Sequence, residues 1–173
     1  MGTEITSIED LKLKGVHVFT PDVHTDYRGD LWTLWKSSNR HTIDCPDVFN
    51  HDKISTSRKN VIRGIHGDLK STKLVTCLYG EIYFVVVDNR EDSPTYMQWD
   101  HIILNDRTRK QALIPPGVGN GFCVLSKHSV FHYKWSYEGD YPDVNDQFTI
   151  PWNDKKLNIN WPILDPILSK RDK

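Results

Sequence analysis

Long stretches of helical hydrophobic period are missing from this sequence, and so is any apolar run approaching the ~18 residues needed to cross a bilayer. The N-terminus, Met1-Gly2-Thr3-Glu4-Ile5, is acidic and lacks the apolar core of a signal peptide. These absences argue against a membrane protein or a helical bundle and lead us to expect a cytoplasmic one. An excess of either charge is lacking too, since 22 Lys plus Arg stand against 23 Asp plus Glu, interspersed along the chain. No basic stripe for nucleic acid and no polybasic membrane patch can be drawn from that distribution. Cysteine is scarce. The three residues, Cys45, Cys77 and Cys123, are odd in number and far apart, which reads as reduced thiols rather than a disulfide framework. No repeat with a period of about 20 to 50 residues interrupts the 173 residues, so one domain, 1–173, is expected.

What the chain does contain is short runs rich in β-branched and aromatic residues, bounded by turn formers. Val16–Phe19, Leu31–Trp35, Leu74–Tyr79, Glu81–Asp88, Trp99–Leu104, Gln111–Ile114, Gly121–Leu125 and Ser129–Trp135 read as strands. Residues 36–50 read as a polar loop with room for one helical turn, and the tail from Trp152 as loops packed across the body. Near-regular short strands predict an all-β sandwich or barrel, and Pro115-x-Gly117 suggests the cupin form of the jelly roll.

The stretch that stands out chemically is Val61-Ile62-Arg63-Gly64-Ile65-His66-Gly67-Asp68, followed by Lys73-Leu74-Val75. Strict alternation places Ile62, Gly64 and His66 on one face and Arg63 on the other, unless Gly64 marks a bulge that re-aims the arginine. A lone histidine in a strand is more often a satisfied core residue than a catalyst. Here Lys73 lies seven residues on, across what reads as a hairpin turn, and an imidazole base beside a fixed cation is what enolate chemistry requires. At the positions where cupins hold a metal, this chain has His66, Asp68, roughly Lys73, and Asn120. One imidazole beside an ammonium is a poor divalent-cation site, so no metal is expected.

Six spaced motifs carry a family resemblance: Asp26-x-Arg28-Gly29, Val61–His66, Lys73-Leu74-Val75, Val87-Asp88-x-Arg90-x-x-Ser93-Pro94-Thr95, Trp152-Asn153-Asp154 and Leu168-Ser169-x-Arg171-Asp172. Together they resemble the dTDP-4-dehydrorhamnose 3,5-epimerases. Within that family, His51-Asp52-Lys53, Ile65–Asp68 and Gly139-Asp140-Tyr141 look most like the subgroup that epimerises GDP-4-keto-heptoses for Campylobacter capsules. The resemblance implies that His66 is the base, Asp172 the carboxylate paired with it, Tyr133 the general acid and Lys73 the cation near the C4 oxygen. It also implies that Arg28 and Arg63 bind substrate, that no cofactor is needed, and that the protein is a homodimer.

Departures from the family pattern point away from the rhamnose precursor. Asn120 stands where a second histidine is usual, His51 and Lys53 replace sugar-contacting amides, and Asp30-Leu31 replaces a phenylalanine after Arg28-Gly29. Tyr137 or Tyr141 could stack on the nucleotide base. The expectation is therefore an epimerase of a 4-keto sugar nucleotide, GDP-linked by preference, acting at C3 or at C3 and C5. A keto-sugar isomerase, the dTDP-4-dehydrorhamnose epimerase itself, and a sugar-nucleotide-binding jelly roll without catalysis are the competing readings.

Overall fold

A computed structural model describes residues 4–43, 45, 48–137 and 146–173. Thirteen strands follow in order: β1 (Ile5–Asp10), β2 (His17–Pro21), β3 (Val23–Asp26), β4 (Gly29–Trp32), β5 (His51–Arg58), β6 (Ile62–Gly67), β7 (Lys73–Tyr79), β8 (Glu81–Asp88), β9 (Trp99–Asn105), β10 (Gln111–Ile114), β11 (Val118–Val124), β12 (His128–Trp135) and β13 (Phe148–Thr149). A 3-10 turn, Ser37–Arg40, lies between β4 and β5. The strands form a six-stranded sheet, β1-β2-β10-β7-β12-β5, a five-stranded sheet, β13-β6-β11-β8-β9, and the separate hairpin β3-β4. All named pairings are antiparallel, and the two large sheets make the cupin-type jelly roll.

Alternation along the strands fills the space between the sheets. Val75, Cys77, Ala112, Ile114 and Phe131 from the six-stranded side meet Ile82, Phe84, Val86, Phe122 and Val124 from the five-stranded side. The Phe131 ring meets that of Phe122 at a tilt, 4.6 Å between centres, and stacks with Phe84 at 5.9 Å. Truncating such a phenylalanine to alanine costs about 3–5 kcal/mol. β8 is apolar almost without a break because its second face is covered as well: Tyr83, Val85 and Val87 pack with Ile62, Ile65, Ile150, Leu157 and Trp161. The tail that supplies this cover is stitched to the sheet by Ile167, whose N–H donates to the Asn60 carbonyl at 2.8 Å while its own carbonyl accepts from Ile62 at 3.1 Å.

Three local expectations change. The strand expected over Leu31–Trp35 begins earlier and ends at Trp32, paired in a hairpin with Val23–Asp26. Ile5–Asp10 and His51–Arg58, too polar to stand out, form the two edges of the six-stranded sheet. His66 and Lys73 are not joined by a hairpin: β6 and β7 belong to opposite sheets, so the polar turn between them is an arch across the sandwich. No helix among the described residues is long and apolar enough to cross a membrane. Gly139-Asp140-Tyr141 lies outside the described residues.

Candidate active site

The bulge decides which side chains of β6 can act together. Asn120 pairs with His66 and Phe122 with Arg63, so Gly64 and Ile65 together oppose Gly121 alone. The extra residue breaks the two-residue rhythm: Ile62 and Ile65 enter the apolar layer under the tail, while Arg63 and His66 both turn to the space between the sheets. Gly64 takes φ +107°, and a Cβ there would sit 2.6 Å from the Asn120 carbonyl oxygen. Only glycine fits both demands. The expectation that Ile62 shares a face with His66 is thus corrected.

Arg63 and His66 open onto a cavity of about 310 Å³. Its five-stranded wall adds Asn120 and Phe122, and its six-stranded wall supplies Ser55, Lys73, Val75, Phe131, Tyr133 and Trp135. Gln147 closes it with Ser169, Arg171 and Asp172 from the tail. His66 Nε2–H donates to Asp172 Oδ1 at 2.7 Å, and Ser169 Oγ–H donates to the other oxygen at 2.8 Å. A carboxylate can only accept, so the proton sits on Nε2 and Nδ1 keeps the basic lone pair. Burial works to raise the Asp172 carboxyl, but the hydrogen bonds from His66 and Ser169 outweigh it and hold the group below the ordinary value, hence ionised.

On the opposite wall, burial pushes the Lys73 ammonium down to about 8; nearby Asp68 opposes that shift and Arg171 adds to it. Lys73 Nζ donates to Asn120 Oδ1 at 3.3 Å and lies 5.3 Å from the Trp135 ring centre. Tyr133 is raised by burial, against the pull of Arg63, so its phenol stays protonated at neutral pH. Arg63 donates to Ser57 Oγ at 2.9 Å and to the Thr56 carbonyl, while Arg171 reaches Gln147 Oε1 and Thr149 Oγ1 at 3.1 Å. Both guanidinium groups are therefore steadied by neutral acceptors. The arrangement sets groups able to serve as base and acid on opposite walls, with a cation on the acid's wall, the components of proton abstraction next to a carbonyl.

Of the residues singled out in the sequence, His66, Tyr133, Lys73, Asp172, Arg63 and Asn120 meet here. Arg28 does not. It sits at the turn of the β3-β4 hairpin, ion-paired with Asp26 at 2.6 Å, against a separate cleft. His51 and Lys53 lie on β5 opposite Trp135 and Tyr133, next to the cavity rather than lining it. Tyr141 is outside the described residues. Ser169 and Arg171 were in view only as parts of a motif, and Gln147 gave no signal, since nothing local distinguishes it. No cluster of three or more His, Cys, Asp or Glu side chains suited to a metal occurs among the described residues.

The family model described as dTDP-4-dehydrorhamnose 3,5-epimerase matches residues 10–173. The chain belongs to that family. Among curated relatives, the dTDP-4-dehydrorhamnose 3,5-epimerase of Shigella flexneri is 34% identical over 165 residues, covering 93% of this chain and 90% of that one. The enzyme of the same name from Pseudomonas aeruginosa is 36% identical over 170 residues, covering 94% and 91%. Among solved structures, NovW, a 4-keto-6-deoxy sugar epimerase of Streptomyces spheroides, superposes with a TM-score of 0.90 at 33% identity, covering 99% of this chain and 86% of that one. ChmJ, a 3'-monoepimerase of Streptomyces bikiniensis in complex with dTDP-quinovose, gives 0.85 at 26% identity, covering 94% and 83%. The family is thus one of sugar-nucleotide epimerases, which are isomerases. The finer likeness to GDP-heptose enzymes has no counterpart among these relatives, two of which are named for dTDP-4-dehydrorhamnose while a third is in complex with dTDP-quinovose.

Proposed function

We propose that this chain epimerises a nucleotide-diphosphate 4-keto sugar at C3, or at C3 and C5, without a cofactor. The observation that carries the reading is the His66–Asp172 pair and the protonated Tyr133 on opposite walls of one cavity, with Lys73 on the strand next to that of Tyr133. A C4 ketone acidifies the hydrogens on C3 and C5. His66 Nδ1 takes the C3 proton, the C–H electron pair moves into the C3–C4 bond, and the carbonyl pair moves onto oxygen. Lys73 neutralises that oxygen in a partly dry site, an effect worth roughly 2.7–4 kcal/mol per donor. Tyr133 then delivers its proton to the opposite face of C3, the enolate collapses to the ketone, and the centre is inverted. Asp172 touches no substrate in this scheme; it fixes the His66 tautomer and steadies the imidazolium.

Arg63 and Arg171, free of carboxylates in their hydrogen bonds among the described residues, would face the diphosphate. Arg28 stays in the proposal as a substrate-binding residue only by family resemblance. For the nucleotide and sugar, the relatives' names favour a dTDP-linked 4-keto-6-deoxyhexose, whereas the GDP-4-keto-heptose of capsule synthesis is supported by the His51–Lys53, Ile65–Asp68 and Gly139–Tyr141 sequence motifs alone. A homodimer belongs to the same reading, supported by the open β1 edge and by the β3-β4 hairpin, where Tyr27 is 98% exposed. A cytoplasmic location is supported by three buried cysteines, none of them in a disulfide.

The test is incubation with each 4-keto sugar nucleotide in heavy water, reading label by NMR and mass spectrometry. Deuterium at C3 alone assigns a C3 epimerase, and label at C3 and C5 with inverted centres assigns the double reaction. Absence of label with both the dTDP-hexose and the GDP-heptose would overturn the enzyme reading in favour of a binding module.

A further inference from the structure

Two buried charges at the ends of the arch between β6 and β7 lack an ionic hydrogen-bond partner among the described residues. Buried Asp88 accepts from Arg90, Ser93 and Thr95, and Asp172 from His66 and Ser169. Asp68, only 6% exposed, is different. Its Oδ1 accepts the backbone N–H groups of Lys70 at 2.9 Å and Ser71 at 2.6 Å, and its Oδ2 is buried with no hydrogen-bond partner. Lys73, 8% exposed, hydrogen-bonds only the neutral Asn120 among the described residues. The two are the ends of one arch, which is pinned at both sides: Gly117 N–H donates to the Asp68 carbonyl at 2.8 Å, and Ser136 clasps Thr72 through bonds of 2.8 and 3.0 Å.

We propose that Asp68 is a positioning residue whose buried carboxylate serves as the counter-charge that keeps Lys73 an ammonium, while Asn120 sets the direction of its N–H. Asp68 does not line the cavity, so it acts through Lys73. The other groups facing Lys73 do not supply this charge. From β6 come Arg63 and His66, from β12 the neutral phenol of Tyr133 and the ring of Trp135, and from the tail Arg171 and Asp172. The guanidinium groups repel an ammonium, and Asp172 is already engaged with His66. An isolated buried ammonium would shed its proton, because desolvation disfavours the charged form. The direction of the Asp68 effect on Lys73, opposing that loss, agrees with the geometry. The inference rests on the reading of Lys73 as the cation at the C4 oxygen.

The first experiment needs no substrate. In protein carrying 13C at lysine Cε, the Lys73 resonance is identified by its loss in Lys73→Met, and its midpoint is followed in the wild type, Asp68→Asn and Asp68→Glu. Asp68→Asn keeps an acceptor for both turn amides, and Asp68→Ser is the second neutral variant should it fail to fold. The expected result is a midpoint lower by about one unit or more in the neutral variant, restored by Asp68→Glu. An unchanged midpoint would overturn the proposal whatever the substrate. With the active sugar nucleotide, the alkaline limb of kcat should move by the same amount with KM unchanged. A shifted Lys73 midpoint with an unmoved limb would instead count against the C4-oxygen role of Lys73 and leave the charge pairing standing.

Discussion

Two histidine–aspartate pairs, alike in distance, differ in everything that surrounds them. His66 Nε2 lies 2.7 Å from Asp172, and His132 Nε2 lies 2.6 Å from Asp52. The Asp172 side chain is 3% exposed and completed by Ser169; that of Asp52 is 58% exposed and shared with Lys134 at 2.6 Å. His66 lines the cavity, whereas alternation along β12 turns His132 to the outer face of the sheet, away from Phe131, Tyr133 and Trp135. A third pair, His17 with Asp10 at 2.5 Å, sits in the open at the β1 edge. A carboxylate against an imidazole is thus a common packing solution. What fits one of them for the role of base proposed above is a dry carboxylate on one side of the ring and room for a substrate on the other.

That contrast can be broken in graded ways. His66→Asn should lower the rate of deuterium entry at C3 by about 10²–10⁴-fold, while His132→Asn leaves it within twofold; comparable losses in both would dissolve the distinction. Lys73→Met should cost about 10²–10³-fold in kcat. It should also remove the alkaline limb near pH 8, because the group protonated below about 8 is the one that stabilises the enolate. Its effect on stability has the opposite sign. The folded-state value lies below the ordinary 10.5, so the destabilisation is full below about 8 and fades as pH rises from there to 10.5, a trend urea melts across that window would show and Lys73→Met would flatten. Asp172→Asn removes a charge-assisted bond worth ~1.5–3 kcal/mol, so kcat should fall roughly 10–150-fold with KM little changed. Asp52→Asn is the smallest: a stability change within about 0.5 kcal/mol by denaturant midpoint, since exposed ion pairs contribute little.

The sequence was most readable where one physical demand dominates a segment. Glu81–Asp88 and Ser129–Trp135 are strands by composition and stay so in any context, whereas Ile5–Asp10 and His51–Arg58 are edge strands, half in water, and carry too few apolar residues to announce themselves. Among site residues, His66, Lys73 and Tyr133 could be named, yet their relation could not. Whether Lys73 faces His66 along a hairpin or across a sandwich depends on which sheets β6 and β7 join, a property of pairing partners far away in the chain. Asp172, 106 residues from His66, has no local reason to be found; the family resemblance supplied it. Arg28 shows the reverse case, a motif residue whose surroundings within this chain are a solvated turn.

The bulge at Gly64 has a genetic consequence. Because His66 owes its direction to one supernumerary residue, the parity of β6 is stored in residue count rather than in any side chain. Pairing Ile62–His66 as a regular ladder at its present length would turn one of the two polar side chains of β6 to the layer under the tail, whereas a one-codon deletion at position 64 or 65 would leave Arg63 and His66 two residues apart and on one face. A bulge and a strand one residue shorter therefore encode the same presentation of imidazole and guanidinium, and the glycine at 64 is demanded by the length of the strand around it.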